Sequence, residues 1–404
     1  MFEIFAQARF PKPEFTSGYV YPDMGLETWY FSQDYLKLGV YALLIVAAGF
    51  ALYKMRSKKL LALLSLLSVC LLGFYWKGCP CPIGLTQNTA AFLFYENAHY
   101  PFVYFAIFAL PIIAALFFGR IFCGGVCPLG ALQELLFFKR VKVNATLDLT
   151  LRLLPYFVLA VAIVFASVGG TFFACAYDPF VPLFRRAGTL PLAVFCGLML
   201  ILSVFISRPY CKYLCPYSVL LKFASYLSSR RVKIAPKRCV NCKLCEGLCP
   251  NDAIVVPETG KIFETPDVVK SRIQKLLIFS PFIIFGGAVA GWAFGIVISD
   301  YYPTMLLLRD VERGVSNVDT DAFLSSGVSI SDLRALVEHT RWKLYVGFAI
   351  AGGALAGLSL IEILRLSRRR QNREFEVDMG KCLCCGRCYE ACPDEVLRKK
   401  GISK

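Results

Sequence analysis

Seven long apolar runs, separated by polar and cationic segments, dominate the pattern of this 404-residue chain. A helix needs about 20 consecutive apolar residues to cross the hydrocarbon core of a bilayer, and these runs reach or approach that length. We predict transmembrane helices at residues 36–55, 59–76, 101–119, 153–172, 190–207, 274–298 and 343–366. The fold class predicted by this pattern is an all-α polytopic membrane protein with about seven transmembrane helices.

Composition and charge support this prediction and add an orientation. The chain is 57% hydrophobic and 18% charged, whereas about a quarter of the residues of a soluble domain are charged. Of the 44 Lys and Arg residues, 33 fall in segments 54–59, 119–152, 208–275 and 365–404. The positive-inside rule places such segments in the cytoplasm. We therefore expect a multi-pass protein of a prokaryotic inner membrane, with its N-terminus outside and its C-terminus inside, and no nucleic-acid partner.

The strongest chemical signal is a cysteine pattern that occurs twice. The first cysteine run is Cys239-x-x-Cys242-x-x-Cys245-x-x-x-Cys249-Pro, and the second is Cys382-x-x-Cys385-x-x-Cys388-x-x-x-Cys392-Pro. This spacing is typical of [4Fe–4S] ligation. Two such runs indicate two [4Fe–4S] clusters in a small α+β, two-cluster ferredoxin-like domain on the cytoplasmic side.

In two-cluster ferredoxins the fourth cysteine of each run binds the other cluster. We therefore predict that Cys239, Cys242, Cys245 and Cys392 hold cluster one, and that Cys382, Cys385, Cys388 and Cys249 hold cluster two. The domain would be split in sequence, because two membrane helices separate its halves. Gly287, Gly291 and Gly295 on one of these helices, and Ala349, Gly353 and Gly357 on the other, predict a closely packed pair.

The predicted domain organisation follows the same divisions. It consists of an outer N-terminal segment (1–35), a five-helix membrane domain (36–230), the first ferredoxin-like half (231–272), a two-helix membrane hairpin with an outer loop at 299–342 (273–366), and the second ferredoxin-like half (367–404).

Two further motifs of the form C-x-x-x-C-P lie in the five-helix segment. Cys123 and Cys127 form one, and Cys211 and Cys215 form the other. Each is followed by an apolar stretch, at 129–138 and 217–227, which we expect to be a helix lying along the membrane surface. A further metal or iron–sulfur site, a redox-active thiol or disulfide site, and purely structural cysteines are the three interpretations.

Three other cysteines, Cys79, Cys81 and Cys175, are expected at outer helix ends. They would hold a second metal or form a disulfide in an oxidising compartment. Cys70 and Cys196 fall inside apolar helices and are interpreted as packing residues. The additional Cys384 is interpreted as a thiol that binds no metal.

The segment from Arg120 to Leu135, which reads RIFCGGVCPLGALQEL, then YCKYLCP at 210–216, then the two cysteine runs, resembles the NapH/NosR-type membrane polyferredoxins. The resemblance covers roughly residues 60–250 and 380–395. It implies cytoplasmic clusters and a link to oxidation of membrane quinol or to electron delivery to periplasmic partners. The flavin-binding S-G-A-T setting of NosR-type proteins does not occur in this sequence, so no FMN is expected.

We therefore expect electron transfer between the quinone pool and a redox partner protein or multisubunit complex, with quinol dehydrogenase activity as one form of it. The alternative is metal handling or cofactor assembly, in which the C-x-x-x-C-P cysteines relay copper or iron. A transporter has little support, because no pair of broken helices carries a charged substrate site.

Overall fold

The computed structural model describes residues 28–78, 81–94, 101–138, 141, 143–169, 172–232, 242–255, 266–367 and 376–399. The N-terminal part contains α1 (Thr28–Tyr53), α2 (Lys58–Ser68), a π-helical segment (Val69–Tyr75), α3 (Pro82–Phe94), α4 (Phe102–Phe118), α5 (Ile121–Gly125), α6 (Pro128–Leu136), α7 (Ala145–Leu151), α8 (Leu154–Gly169), α9 (Phe173–Ala176), α10 (Val181–Arg185), α11 (Leu190–Phe205), α12 (Pro209–Tyr213) and α13 (Tyr217–Tyr226). The C-terminal part contains α14 (Leu244–Leu248), β1 (Ile254–Val255), α15 (Pro266–Ser299), α16 (Pro303–Glu312), α17 (Val318–Ser325), α18 (Ile330–Ser367), β2 (Glu376–Val377), α19 (Arg387–Ala391) and α20 (Pro393–Lys399).

Five helical segments are long and apolar enough to cross a membrane. They are Gln33–Tyr53, Lys58–Tyr75, Thr146–Gly169, Asp267–Ser299 and Ile330–Leu364. Two shorter apolar helices, α4 and α11, occupy the third and fifth predicted runs. The chain is therefore a helical membrane protein, and each of the seven predicted runs contains a helix.

The sequence analysis missed helix α3, whose residues were assigned to a connection between two membrane helices. It begins with a proline, a residue that suits the first turn of a helix because its missing N–H has no partner there. The helix packs against α8 and α4, so the segment belongs to the helical body. Just before it, the π-helical segment brings Gly73 against Phe184, where a Cβ would lie 2.6 Å from the ring.

The two C-x-x-x-C-P motifs have the same local fold. Each first cysteine lies in a five-residue helix, α5 or α12. The Cys127 amide donates to the carbonyl oxygen of Phe122 (2.8 Å), and the Cys215 amide donates to that of Tyr210 (2.9 Å). The residue before each second cysteine has φ and ψ of −120° and −36° in one motif and −131° and −32° in the other. Their common backbone supports the repeat that the sequence suggests.

The stretches after these motifs are helical, as predicted. Leu129 in α6 is 5% exposed and Leu221 in α13 is fully buried, whereas Leu136 and Leu227 are exposed. Helix α6 packs against α2 and α11, and α13 packs against α4 and α8. Each stretch therefore has one face packed on the helical body and leaves other apolar side chains exposed.

Helices α15 and α18 form a closely packed pair through small residues. A Cβ on Gly291 would collide with the carbonyl oxygen of Phe348, and one on Gly287 would lie 2.5 Å from Cβ of Ala356. On the partner helix the closest approach is at Gly352, where a Cβ would meet the Gly287 carbonyl oxygen. Glycine therefore allows these two backbones to touch.

The predicted glycine contacts were right on α15 and only partly right on α18. A Cβ on Gly353 would lie at an ordinary contact distance, 3.5 Å, from the Ile284 carbonyl oxygen of α15, and a Cβ on Gly357 would have no neighbour within 4 Å. The contacting face of α18 is displaced by one residue, to Gly352, Phe348 and Ala356, which the four-residue spacing of small residues alone does not reveal.

The segments on either side of this helix pair meet in a two-stranded antiparallel sheet. Ile254 pairs with Val377 and Val255 pairs with Glu376. Helices α14 and α19 pack together next to the sheet. The chain therefore runs from β1 through α15 and α18 to β2, so the two strands of this small sheet lie more than 100 residues apart in the sequence.

Replacing Gly291 by Leu should separate α15 from α18, because no side chain fits between Gly291 and the Phe348 backbone. We expect destabilisation of about 1–3 kcal/mol, the usual cost of overpacking, seen as a lower Tm in detergent. The matched control is Gly286→Leu on the same helix, since Gly286 has no neighbour within 4 Å. Equal Tm values for the two variants would contradict the close helix contact.

Candidate metal centres

The two cysteine runs adopt the same local conformation. In each, a residue with positive φ follows the second cysteine: Lys243 (φ 57°) in the first run and Gly386 (φ 74°) in the second. A five-residue helix follows, α14 or α19. Each helix ends at the fourth cysteine, Cys249 (φ −75°, ψ 111°) or Cys392 (φ −79°, ψ 117°). The two loops therefore present their sulfurs in the same way.

Four cysteines from both runs line one cavity of about 450 Å³. They are Cys249 from the first run and Cys382, Cys385 and Cys388 from the second, and the additional Cys384 lines the same cavity. Backbone amides donate to two of the sulfurs: Ala253 N–H to Cys249 Sγ (3.3 Å) and Cys384 N–H to Cys382 Sγ (3.4 Å). Hydrogen bonds of this kind tune the potential of iron–sulfur clusters. This is the set that the sequence analysis assigns to cluster two.

The donor set and its spacing fit an iron–sulfur cluster. Within the described parts of the chain, no three His, Cys, Asp or Glu side chains converge as a single metal ion would require. Four thiols from two ferredoxin-type runs around one shared space suit a cluster of several metal atoms. Burial raises the pKa of the Cys385 thiol to about 12, so binding a metal there releases a proton.

The set assigned to cluster one is described in part. Cys245 is buried in α14 and interacts electrostatically with Cys242 and Cys392, so three of its four members lie near one another. Cys239 falls outside the described residues. Cys384, interpreted as a thiol that binds no metal, is 1% exposed, and its thiol donates to the carbonyl oxygen of Phe118 (3.6 Å).

A second, larger cavity of about 840 Å³ lies among the helices of the first half of the chain and is called the buried cavity here. Its wall includes six cysteines and one carboxylate: Cys81, Cys123, Cys127, Cys175, Cys211, Cys215 and Asp178. The cysteines of both C-x-x-x-C-P motifs therefore line one space.

Cys81 and Cys175, expected at outer helix ends, line the same cavity as the C-x-x-x-C-P cysteines. The physical reason is the unpredicted helix α3. Its packing against α8 and α13 turns Cys81 inward, and Gly84 in its first turn allows Cys175 to approach, since a Cβ there would lie 2.9 Å from the Cys175 sulfur. Cys79 lies outside the described residues.

A buried charge network joins the two cavities. Arg208, fully buried, donates to the carbonyl oxygens of Cys123 and Gly124 (3.0 Å for the latter) and to Glu134 (3.1 Å). The other oxygen of Glu134 accepts from Arg387, in the second cysteine run, at 2.6 and 2.7 Å. Burial raises the pKa of Glu134, but the Arg208 and Arg387 guanidinium groups outweigh it and hold the pKa below its usual value. Glu134 is therefore ionised and links the two arginines.

The backbone loops of the two sites also touch. A Cβ on Gly124, between the cysteines of the first C-x-x-x-C-P motif, would lie 2.6 Å from the Leu383 carbonyl oxygen in the second cysteine run. Arg120 donates to the Gly380 carbonyl oxygen (3.3 Å) and interacts electrostatically with both Cys211 and Cys382. The buried cavity and the Cys382 cavity are thus neighbours across one layer of backbone.

These arginines were missed in the sequence, although a signal for them is present. Arg120 and Arg208 each stand three residues before the first cysteine of a C-x-x-x-C-P motif, and both are buried. Extending the comparison of the two motifs by three residues toward the N-terminus shows that both contain this arginine. The role of Arg208 follows only from the fold, because its partners lie more than 70 residues away in the sequence.

Two family models match the chain, and both are described as a 4Fe–4S binding domain. One matches residues 100–144 and 187–235, which contain both C-x-x-x-C-P motifs, and the other matches residues 232–255, which contain the first cysteine run. No solved structure matches the chain.

Three relatives show the range of the similarity. An uncharacterized protein of Methanocaldococcus jannaschii is 32% identical over 186 residues, 43% of this chain and 69% of the relative. YccM of Escherichia coli, named as a candidate electron transport protein, is 30% identical over 157 residues, 35% of this chain and 44% of the relative. The methylamine utilization ferredoxin-type protein MauN of Methylobacillus flagellatus is 28% identical over 156 residues, 35% of this chain and 52% of the relative.

The chain spans about half the length of YccM and MauN. These relatives, the 4Fe–4S models and the paired C-x-x-x-C-P motifs all indicate the same family of iron–sulfur proteins. The chain belongs to the NapH/NosR-type family of membrane-bound polyferredoxins.

Proposed function

We propose that this iron–sulfur electron-transfer protein carries two [4Fe–4S] clusters in a ferredoxin-like domain that is assembled from residues 231–272 and 367–404. Electrons pass between the membrane quinone pool and a redox partner protein. With seven membrane-spanning helices and the N-terminus outside, both halves of this domain face the cytoplasm of a prokaryotic cell.

The observation that carries this proposal is the meeting of Cys249 with Cys382, Cys385 and Cys388 around one cavity. A fourth cysteine from the distant run is what cross-ligation in a two-cluster ferredoxin requires. The pairing of β1 with β2 and the matching conformations of the two loops support the same domain. By this symmetry Cys392 joins Cys239, Cys242 and Cys245 in cluster one.

The C-x-x-x-C-P cysteines supply ligands to a third iron–sulfur centre in this proposal. The family model that covers them is described as a 4Fe–4S binding domain, and they line the buried cavity beside the Cys382 cavity. An iron–sulfur cluster accepts and donates single electrons when bound. The same family model favours iron–sulfur binding over the alternative, a copper relay through these cysteines.

The order of the centres along the electron-transfer route follows from the contacts between the sites. The first C-x-x-x-C-P loop touches the second cysteine run through Gly124 and Leu383. We place the cluster held by Cys382 between the buried centre and cluster one. Two carboxylates in the helical body are already paired: Glu134 with Arg208 and Arg387, and Glu362 with Lys222 (2.6 Å). Neither is therefore proposed as a quinone ligand.

The cation-rich flanks of the split domain favour an acidic soluble partner on the cytoplasmic face. Arg231, next to the first half, keeps about half of its side chain exposed, as a docking surface requires.

Metal analysis tests the centres directly. Protein purified without oxygen should contain about twelve irons and as many acid-labile sulfides per chain if three cubanes are present, and about eight if two are. Redox-titrated EPR should resolve the corresponding signals. Four irons or fewer, or copper in place of iron, would contradict the two-cluster domain.

Cys392→Ser should remove the signal of the cluster held by Cys242 and Cys245, although Cys392 lies about 150 residues further along the chain. The expected readout is a loss of about four irons and of one EPR signal. Cys384→Ser is the control, because its thiol faces the Phe118 carbonyl oxygen, and it should keep all signals. An intact cluster-one signal in Cys392→Ser would rule out cross-ligation.

Arg208→Gln should lower the midpoint potentials of the centres on both sides of the network. A nearby cation stabilises the more negative, reduced cluster, so its removal favours the oxidised form. We expect shifts of roughly 60 mV, a tenfold change in a one-electron equilibrium. Arg231→Gln removes the same charge at an exposed position and should leave the potentials unchanged. Equal potentials in both variants would exclude a tuning role.

A further inference from the structure

The buried cavity is approached by three Cys-Pro dipeptides, whereas the family model covers two. Cys127 precedes Pro128 at the start of α6, and Cys215 precedes Pro216 before α13. The third is Cys81, which precedes Pro82 at the start of α3. It falls outside residues 100–144 and 187–235, the segments that the 4Fe–4S model matches.

In all three dipeptides the carbonyl oxygen of the cysteine accepts a hydrogen bond from the first turn of the helix that follows. The Leu85 amide donates to the Cys81 carbonyl oxygen (3.0 Å), and the Ser218 amide donates to that of Cys215 (3.2 Å). The Ala131 amide donates to the Cys127 carbonyl oxygen (2.8 Å). The geometry is therefore repeated three times: a proline begins a helix, and the cysteine before it lies against the first turn of that helix.

All three cysteines line the wall of the same cavity. The first turns of all three helices contribute to the cavity wall. Three positive helix ends directed at one space favour an anion, and a cluster held by thiolates is anionic.

Cys175 differs from these three, although it lies on the same wall. It is inside the four-residue helix α9 rather than before a proline. Its sulfur lies against Gly84, the position in α3 where a Cβ would come within 2.9 Å. Cys175 therefore lies against the first turn of α3 and has no helix start of its own.

We infer that Cys81 is a ligand of the buried iron–sulfur centre, in the same role as Cys127 and Cys215. This inference rests on the buried centre of the proposed function. It assigns one corner of the cluster to a residue outside both C-x-x-x-C-P motifs. Helix α3 thereby becomes part of the site, rather than a support for it.

The test compares the full-length protein with Cys81→Ser, Cys175→Ser and Cys196→Ser, all purified without oxygen in detergent. Cys196 is buried in α11 and does not line the cavity. Iron, acid-labile sulfide and EPR spectra are measured at controlled potentials. Cys81→Ser should lose about four irons per chain and the signal of the buried centre, while the signals of the two cytoplasmic clusters persist and show that the chain is folded. The other two variants should match the original protein.

Two outcomes would overturn the inference and have different meanings. An unmodified protein with about eight irons and two signals would remove the buried centre itself, together with that part of the proposed function. The second outcome is that the unmodified protein contains about twelve irons and that Cys81→Ser has the same iron content and EPR spectrum. The buried centre would then exist without Cys81 as its ligand. If Cys175→Ser lost the EPR signal of the buried centre in that case, Cys175 would be the ligand.

Discussion

The burial of one guanidinium group determines how the parts of this protein fit together. Arg208 is fully removed from solvent, and a buried charge is tolerated only when it is paired and hydrogen-bonded. Its partners come from separate segments: two carbonyl oxygens of the first C-x-x-x-C-P loop and the carboxylate of Glu134. Because Glu134 also binds Arg387 through its second oxygen, the second cysteine run is held against the helices. The relative position of the two metal-binding regions follows from satisfying this one charge.

Further polar contacts hold the same segment in place. Arg56, in the turn after α1, pairs with the buried Glu395 of α20, and Lys58 pairs with Glu390 of α19 (3.4 Å). The Ser225 hydroxyl donates to the Met379 carbonyl oxygen (3.1 Å). The first cysteine run has a different support, since in the described residues it is attached mainly through the second run, by the strand pair and by Asn251 donating to the Lys381 carbonyl oxygen (3.2 Å). The second run is thus the inner layer and the first run the outer one.

Much of the architecture could be predicted, because membrane helices and ferredoxin cysteines leave strong local patterns. The apolar runs located every long helix, and the spacing of the two cysteine runs grouped Cys249 with the second run. What failed depended on contacts between distant residues. Helix α3 is too short to register as a span, so the inward turn of Cys81 was missed. Arg208 was invisible for a related reason: a lone arginine near the end of an apolar run normally marks orientation, and only the fold shows that it is buried.

The division of the small sheet has a consequence for how the protein is made. Strand β1 is synthesised before α15, and its partner β2 appears only after α18. During translation the first strand therefore waits, unpaired, while two long apolar helices enter the bilayer and find each other through Gly287, Gly291 and Gly352. Closure of the sheet reports that this insertion succeeded. The two strands can therefore pair only after both helices of this pair have been made.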